Sequence, residues 1–345
     1  MNYNNFSKSV LKWYNLNKRD LPWRYKGNTK KDPYKIWVSE IMLQQTTVTA
    51  VIPYFKKFIT LWPNIEKLSS ADINEILDFW SGLGYYRRAK NLHLTSKIIN
   101  KDYNNIFPKD EVQIKNLPGI GDYTSAAIRA IAFNENDTVV DSNIERIIAR
   151  VFQIQEPIVR AKKEIKEKAK KLTPNIKNGD YAQALMDIGS KVCLPKNPLC
   201  NSCPILKFCK AKKNSCENTI PIKVKKKIKP VREGSVYWII SSDNKVLLKR
   251  RLDKGILPGM LEFPSYGWST DANEEIDKKV LSIKDFKIKK GKVSHQFSHF
   301  KLLLTVYEKK EFNVNDINGM WVDKKDLNNL GLPTLMKKVF NHINT

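Results

Sequence analysis

The chain has 345 residues, enough for two domains with ordinary cores, and its 41% of hydrophobic residues excludes intrinsic disorder. Lys and Arg outnumber Asp and Glu by 61 to 35, and the formal net charge of +26 favours a polyanionic partner, nucleic acid before an anionic membrane. No apolar run reaches the length of a membrane span and the first residues lack a signal-peptide core, so we expect a soluble, cytoplasmic protein.

Two predicted helices flank a turn rich in arginine and tryptophan. Residues 7–16 have the pattern of a short amphipathic helix, and the turn RDLPWR follows at residues 19–24. Asp32 and Pro33 then begin a second helix, because an aspartate cap followed by proline in the first turn is a typical helix start.

The second helix surrounds one carboxylate, Glu40, with apolar residues. Residues 36–47 read IWVSEIMLQQTT, so much of this run should be buried. Burial disfavours the charged form of a carboxylate and raises its pKa, which suits a group that holds a proton near neutral pH and delivers it to a substrate. The alternative is that Glu40 is a partly exposed residue or the ion-pair partner of an arginine such as Arg24.

Residues 53–101 are predicted to be helical around a glycine-rich turn, WSGLGYYRR, at residues 80–88. Two tyrosines beside two arginines suit a wedge that enters stacked bases while cations hold phosphates nearby. The alternative is an ordinary turn between helices with buried tyrosines. We expect His93 to be an ordinary packed histidine.

The central stretch, residues 117–146, combines a tight turn with a capped helix. The turn LPGIG leads into an amphipathic helix from about Tyr123. Its glycines allow close approach of the backbone, and the helix start offers free N–H groups and a positive dipole end, which suits a phosphate. About twenty residues on, Asp141 precedes Ser142 and Asn143 as a helix N-cap does, and this spacing could return its carboxylate to the turn.

Two further helices lead towards a cluster of cysteines. Residues 160–171, RAKKEIKEKAKK, are predicted to form a solvated, highly charged helix. Residues 178–180, NGD, are predicted to cap a helix over residues 181–189, which ends shortly before Cys193.

Four of the five cysteines fall between Cys193 and Cys209, separated by six, two and five residues. Four thiolates can bind zinc or an iron–sulfur cluster, and structural zinc sites usually contain two close pairs of ligands. Here only Cys200 and Cys203 form a close pair. Cys216 lies outside the pattern and is interpreted as a spare thiol.

A basic linker separates the helices from a second domain. Residues 219–232, TIPIKVKKKIKPVR, read as an extended segment. Residues 236–240 and 245–250 flank Asp-Asn and predict a β-hairpin, and a strand with Trp321 and helical segments complete an α+β unit. In HQFSHFK, residues 295–301, short polar side chains alternate with aromatic ones, as in a base-reading element.

Taken together, these motifs resemble the adenine DNA glycosylases of the MutY type, within the helix-hairpin-helix, iron–sulfur superfamily. SEIMLQQT around Glu40 matches their signature, GLGYY their wedge loop, LPGIG followed by VVDSN their hairpin and aspartate, and the cysteine spacing their 4Fe–4S loop. GILPGMLEFP at residues 255–264 is similar to the GLW(x)FP stretch of Nudix-like folds, although Leu261 replaces a common aromatic. A working Nudix hydrolase binds Mg²⁺ with the carboxylates of a helix of pattern REUxEExG, which residues 269–280 do not supply, so the resemblance implies a binding domain.

The resemblance implies a mainly α N-terminal part, a six-helix barrel with an iron–sulfur subdomain, joined to an α+β Nudix-like domain. The implied boundaries are 1–217 for the glycosylase domain with the cluster loop at 193–209, 218–232 for the linker and 233–345 for the reader of 8-oxoguanine. It also implies a monomer that binds duplex DNA with adenine opposite 8-oxoguanine or guanine. One 4Fe–4S cluster would be bound by Cys193, Cys200, Cys203 and Cys209.

The resemblance assigns roles to single residues. Glu40 would protonate adenine, Asp141 would stabilise the sugar cation, and Tyr123 and Asn143 would orient this pair. Contacts to the adenine would come from Arg19, Trp23, Arg24 and Gln183. Contacts to DNA would come from Gln45, Thr46, Leu83, Tyr85, Gly119, Ile120, Gly121, Lys196, Phe297, Ser298 and His299, with His299 as a reader of the damaged base.

Two departures from the family pattern bear on the reaction. Tyr123 stands where endonuclease III-type relatives carry a lysine that attacks the sugar, so the expected product is an intact strand with an abasic site. Asp-Ser-Asn at residues 141–143 replaces the commoner Asp-Gly-Asn. The alternatives are a bifunctional pyrimidine glycosylase/lyase, a mismatch-binding protein without catalysis, and, less favoured, nucleotide hydrolysis by the C-terminal domain.

Overall fold

The computed structural model describes residues 3–25, 29–224, 228–252, 255–268, 278–314, 317 and 319–345. The chain divides into two compact units, Met1–Ser70 with Leu94–Lys226, and Ala71–His93 with Lys227–Thr345. The second unit therefore combines a segment from the middle of the chain with the C-terminal part. None of the helices within these described ranges is long and apolar enough to cross a membrane.

The first unit is helical, as predicted. The helices over residues 7–16 and 160–171 are confirmed and extend beyond the predicted ends. In chain order the helices are α1 (Tyr3–Asn17), α2 (Pro33–Leu43), α3 (Val48–Leu61), α4 (Ile65–Ser69), α5 (Ile73–Phe79), α6 (Arg87–Asp102), α7 (Glu111–Lys115), α8 (Asp122–Phe133), α9 (Ser142–Phe152), α10 (Ile158–Leu172), α11 (Asn178–Lys191) and α12 (Lys210–Lys213). Of these, α5 belongs to the second unit, and α6 begins in the second unit and continues into the first.

Local capping explains where several helices begin. Asp32 caps α2 by accepting a hydrogen bond from the Tyr34 amide at 2.9 Å, and Pro33 occupies the first turn, as predicted. The prediction that residues 178–180 cap a helix is wrong. They form the first turn of α11, and Lys177 precedes them in the left-handed conformation with φ of 57°.

The core of the first unit forms where α9 packs between α10 and α11. Apolar residues recur every three or four positions along α9, so one face of the helix is buried. α1 adds Phe6 and Val10 to the same cluster. The buried residues from these helices include Ile144, Ile147, Ile148, Val151, Ile165, Ala184, Leu185 and Ile188.

The second unit contains a mixed β-sheet covered by a C-terminal helix. Its elements are β1 (Val231–Ser241), β2 (Lys245–Arg250), β3 (Leu261–Glu262), β4 (Ser265–Tyr266), α13 (Lys278–Ser282), β5 (Lys287–Gln296), β6 (Lys301–Phe312), β7 (Met320–Asp323) and α14 (Thr334–Asn344). Within the described residues the strand order is β3-β2-β1-β6-β5, with β4 paired to β1 and β7 to β2. β1 and β6 are parallel and the other pairs antiparallel.

The hairpin predicted around Asp-Asn is confirmed, since Ile240 of β1 lies opposite Val246 of β2 and Asn244 has a φ of 64°. Alternate residues of β6 point into the core, as the period of a strand requires. They meet one face of α14 at Leu335, Met336 and Val339. In the predicted linker, residues 225–227 lie outside the described residues.

α9 and α11 approach so closely that a Cβ added to Gly189 would lie 2.5 Å from the Cβ of Asn143. We expect Gly189→Ala to lower the free energy of unfolding by about 1–3 kcal/mol, because the helices must move apart. Denaturant unfolding measures this loss. Ser190→Ala, at the exposed next position, should stay within about 0.5 kcal/mol of the unchanged protein. Equal unfolding energies for the two variants would contradict the close packing.

Candidate active site

Glu40 lies in the last turns of α2 and only 6% of it is exposed, so it is not a partly exposed helix residue. Its Oε2 accepts a hydrogen bond of 2.8 Å from the hydroxyl of Tyr123, in the first turn of α8. Burial raises the pKa of Glu40 to about 7, the direction predicted from the sequence. The Tyr123 hydrogen bond opposes this shift, and the negative charge of Asp141 adds to it.

Asp141 caps α9, as its position before Ser-Asn predicts. Its Oδ1 accepts from the Ile144 amide at 2.8 Å and its Oδ2 from the side-chain amide of Asn143 at 2.8 Å. Burial raises the pKa of Asp141. The two hydrogen bonds act in the opposite direction, since they stabilise the carboxylate. The structure thus brings Glu40, Tyr123, Asp141 and Asn143 together.

A cleft opens beside Glu40, with both polar and apolar side chains in its wall. Trp23 is buried in its wall, and Gln183 is anchored by a 3.2 Å hydrogen bond to the Gly179 carbonyl. All four residues assigned to the substrate line this cleft. The lining residues are Arg19, Leu21, Trp23, Arg24, Ile36, Ser39, Glu40, Leu43, Val48, Ile131, Gln183 and Met186.

Arg24 is paired with Asp187, not with Glu40. Its two terminal nitrogens donate to the two oxygens of Asp187 at 2.6 and 2.9 Å, and Arg19 Nε donates to the same carboxylate at 2.5 Å. Burial acts to raise the pKa of Asp187, but the two guanidinium groups hold it below its usual value. The sequence analysis missed this aspartate, although a lone acid four residues after Gln183 in a helix of small apolar residues was a usable signal.

Two buried arginines of α9 connect the capped aspartate to the cysteine loop, and sequence reasoning missed both. Arg146 donates to Asn143 Oδ1 at 2.9 Å and to the Cys193 carbonyl at 2.8 Å. Arg150 donates to Cys193 Sγ at 3.2 Å and to the Leu194 carbonyl at 2.7 Å. The usable signal was a pair of arginines four positions apart on the apolar face of a helix. A charge buried there needs hydrogen-bond partners.

The four predicted metal ligands, Cys193, Cys200, Cys203 and Cys209, line one cavity. Among the residues that the structure describes, no three His, Cys, Asp or Glu side chains form a group that could hold a metal ion. Four thiols around one space fit the thiolate ligands of a 4Fe–4S cluster. Burial raises the pKa of Cys203 to about 12, so a metal must displace its proton.

The LPGIG turn of the first unit has the predicted hairpin shape. Gly119 has a φ of 78°, the Ile120 amide donates to the Leu117 carbonyl at 3.2 Å, and Gly121 caps α8. The side chain of Ile120 is buried, so only its backbone can meet a phosphate. The other assigned DNA contacts of this unit are exposed at Gln45 and Lys196 and half-buried at Thr46.

The assigned DNA contacts of the second unit lie on two loops. In the WSGLGYYRR turn, Leu83 is buried and Tyr85 is 51% exposed. In the HQFSHFK loop, Ser298 and His299 are exposed, and Phe297 is stacked on Phe300 with ring centroids 4.7 Å apart. The Tyr85 hydroxyl and the Ser298 hydroxyl are hydrogen-bonded at 2.9 Å.

The one carboxylate of the GILPGMLEFP stretch is occupied by internal contacts. Glu262 is 1% exposed, and its Oε2 contacts Arg251 at 2.5 Å and accepts from the Ser265 hydroxyl at 2.7 Å. Lys249 lies 3.5 Å from the other oxygen. The neighbouring residues 269–277, which do not follow the REUxEExG pattern of Nudix hydrolases, lie outside the described residues.

Comparison with known proteins identifies the class. Residues 38–175 match the family of HhH-GPD superfamily base excision DNA repair proteins, and residues 235–342 match the NUDIX domain. A thermostable thymine-DNA glycosylase has 30% identity and a TM-score of 0.55 over 61% of this chain and 97% of its own. An endonuclease III–DNA complex, 19% identical, has a TM-score of 0.51 over 61% of this chain and 94% of that one, and supports the fold. The chain is a base-excision DNA repair glycosylase, an enzyme that hydrolyses N-glycosidic bonds.

The relatives narrow the class to one family. Adenine DNA glycosylase of Buchnera aphidicola from Schizaphis graminum is 36% identical over 97% of both chains. Human adenine DNA glycosylase is 30% identical over 97% of this chain and 73% of its own length. This chain belongs to the adenine DNA glycosylase family.

Removing the Tyr123 hydroxyl should move the pH dependence of base release. The hydrogen bond stabilises the Glu40 carboxylate, so Tyr123→Phe should raise the pKa of Glu40 by roughly half a unit to one unit. The protonated fraction then persists to higher pH, and the alkaline fall in the single-turnover rate should shift upward by the same amount. Tyr181→Phe is the control, because this buried hydroxyl has no hydrogen-bond partner among the described residues. An unmoved or downward-shifted profile for Tyr123→Phe would contradict the assignment.

Proposed function

We propose that this enzyme releases adenine mispaired with 8-oxoguanine or guanine and leaves an intact strand with an abasic site. The observation that carries the proposal is the electrostatic coupling of two carboxylates, Glu40 and Asp141, with Glu40 in the wall of a cleft. The names of the full-length relatives support adenine as the base. An adenine within a duplex is out of reach, so it must be extruded before it can enter the cleft.

Glu40 acts as the general acid. Adenine is a poor leaving group until it is protonated, and a carboxyl group with a pKa of about 7 still carries its proton near neutral pH. Glu40 gives this proton to N7 as the glycosidic bond breaks. Its conjugate base then helps direct the attacking water. Tyr123 holds Oε2 in place through both stages, because its hydroxyl donates to the carboxylate.

Asp141 stabilises the positive charge that develops on the sugar, as one of the two carboxylates does in glycoside hydrolysis. It accepts two hydrogen bonds where Glu40 accepts one from a phenol, so Asp141 is the group that is ionised and Glu40 the one that keeps its proton. Asn143 orients Oδ2. Because no lysine replaces Tyr123, no amine is present there to form a Schiff base, and strand cleavage is not part of the reaction.

The cleft would recognise the extruded base through Trp23, Arg24, Arg19 and Gln183. Asp187 fixes Arg24 through two hydrogen bonds, so the guanidinium is oriented before the base arrives. Gly119, Ile120 and Gly121 would bind a phosphate by backbone amides at the start of α8. Gln45, Thr46, Leu83 and Tyr85 would occupy or border the gap left by the base, and Phe297, Ser298 and His299 would read the opposite 8-oxoguanine.

We further propose the domain boundaries 1–217, 218–232 and 233–345, with a 4Fe–4S cluster bound by Cys193, Cys200, Cys203 and Cys209. When bound, the cluster supplies structural rigidity and no bond chemistry. The loop that it stabilises carries Lys196 on its exposed surface, which suits contact with a DNA phosphate. Arg146 and Arg150 hold the start of the loop through the Cys193 carbonyl and thiol.

The proposal is tested with duplexes that carry adenine opposite 8-oxoguanine, adenine opposite guanine, or thymine glycol. Alkali-dependent strand breaks at adenine, without breaks before alkali and without borohydride-trapped adduct, are expected. Glu40→Gln and Asp141→Asn should each reduce release by about 10²-fold or more while mispair binding persists. Efficient borohydride trapping on thymine glycol would favour the bifunctional alternative. Full adenine release by either variant would overturn the assigned roles. Mispair binding by the unchanged protein without any release of adenine would favour a mismatch-binding protein.

The cysteine assignment predicts a sharp difference between two thiols. Cys203→Ser should lose the yellow-brown colour and the iron and sulfide of the purified protein, because the variant removes one of four ligands. Cys216→Ser should keep them, with about four irons per chain. Elemental analysis and visible absorption measure both. Zinc in place of iron, or an equal loss of iron in both variants, would contradict the ligand set.

A further inference from the structure

The turn that carries Tyr85 is packed on the C-terminal part of the chain. The Ser81 hydroxyl donates to the Leu332 carbonyl at 2.5 Å in a fully buried position. Asp78, at the end of α5, lies 3.5 Å from the guanidinium of Arg250. A Cβ added to Gly331 would lie 2.3 Å from the Asp78 Cα, so the two backbones are in direct contact. We call Asp78, Ser81, Gly331 and Leu332 the anchor.

The turn is stiff between the anchor and Tyr85. Trp80 Nε1 donates to the Gly84 carbonyl at 3.3 Å, and Arg88 donates to the Leu83 and Gly84 carbonyls at 2.9 and 3.0 Å. The same guanidinium lies over the rings of Trp80 and Tyr85, 5.4 and 5.7 Å from their centroids. A displacement at Ser81 is therefore transmitted to Tyr85 and not absorbed within the turn.

The loop that carries Ser298 is also held firmly within the same unit. Phe297 is stacked between Trp268 and Phe300, at centroid distances of 6.1 and 4.7 Å. The guanidinium of Arg251 covers the outer face of Trp268 at 4.4 Å, and that of Arg232 covers Phe300 at 4.1 Å. Tyr85 and Ser298 thus both belong to the second unit, and their hydroxyls are hydrogen-bonded to each other.

We propose that the anchor makes the C-terminal domain the support of the Tyr85 wedge, so that the domain positions the group that fills the gap left by the extruded base. This inference rests on the proposed function. Asp78, Ser81 and Gly331 are positioning residues, since they act through Tyr85 and do not touch the base. Wedge insertion compensates for unstacking only when the ring is in register with the base step. A misplaced wedge therefore slows extrusion while phosphate binding by the LPGIG turn continues.

The test uses the full chain with Ser81→Ala and Gly331→Ala. A duplex with 2-aminopurine, a fluorescent adenine analogue, opposite 8-oxoguanine reports extrusion by its rise in emission. Both variants should show a reduced rise and release adenine opposite 8-oxoguanine about tenfold or more slowly in single turnovers. Their affinity for an undamaged duplex should stay within about twofold, because phosphate contacts dominate it. Asn329→Ala, an exposed residue of the same loop, is the matched control.

A double-substitution cycle separates positioning from general damage. If Ser81 acts through Tyr85, then Ser81→Ala combined with Tyr85→Ala should be no slower than Tyr85→Ala alone. Additive losses would mean that Ser81 contributes only to folding and would overturn the proposal. Normal extrusion by a folded Ser81→Ala variant would overturn the proposal as well. If Gly331→Ala does not fold, the result for the milder Ser81→Ala substitution alone tests the proposal. A wild-type chain that releases no adenine would instead refute the proposed function.

Discussion

The nearness of two carboxylates, Glu40 and Asp141, to one tyrosine constrains the whole first unit. Two negative charges repel each other in a buried site, so one group keeps its proton while hydrogen bonds stabilise the other as a carboxylate. Asp141 accepts such bonds from the Ile144 amide and from Asn143, whereas Glu40, far along α2, accepts one from the Tyr123 hydroxyl. Because Tyr123 follows Gly121 by two residues, the contact that holds Glu40 also fixes the LPGIG turn at the edge of the site.

α9 extends this constraint from the site to the cysteine loop. Its first turn is capped by Asp141, and one turn later Arg146 donates a hydrogen bond to Oδ1 of Asn143. A buried guanidinium is stable only with acceptors around it, and the cysteine loop provides them as backbone carbonyls and a thiol. The cysteine loop therefore supplies acceptors to the arginines of α9, and these arginines in turn hold the start of the loop. One helix, α9, therefore holds both the Asp141 cap and the start of the cysteine loop.

Features fixed by neighbouring residues were predictable from the sequence. The Asp32–Pro33 start of α2, the Asp141 cap and the Asp-Asn hairpin all depend on side chains within three residues of the backbone groups that they serve. The cap of α11 was misplaced because Asn, Gly and Asp are also acceptable in a first turn, and only the preceding backbone decides. The pairing of Arg24 with Asp187 joins positions 163 residues apart, which no local pattern encodes.

The turn at residues 80–88 lies inside the stretch matched by the repair-protein family but belongs to the second compact unit. The repair-protein family match runs continuously over residues 38–175, yet residues 71–93 pack with the C-terminal unit. The reason is physical: the hydroxyl of Ser81 is buried and needs an acceptor, and it donates to the carbonyl of Leu332, 251 residues away. The turn that carries Tyr85 is thus held by C-terminal residues of the chain. If Tyr85 is the wedge and Ser298 a base reader, as proposed, opening of the duplex and reading of the opposite base depend on the same packed surface.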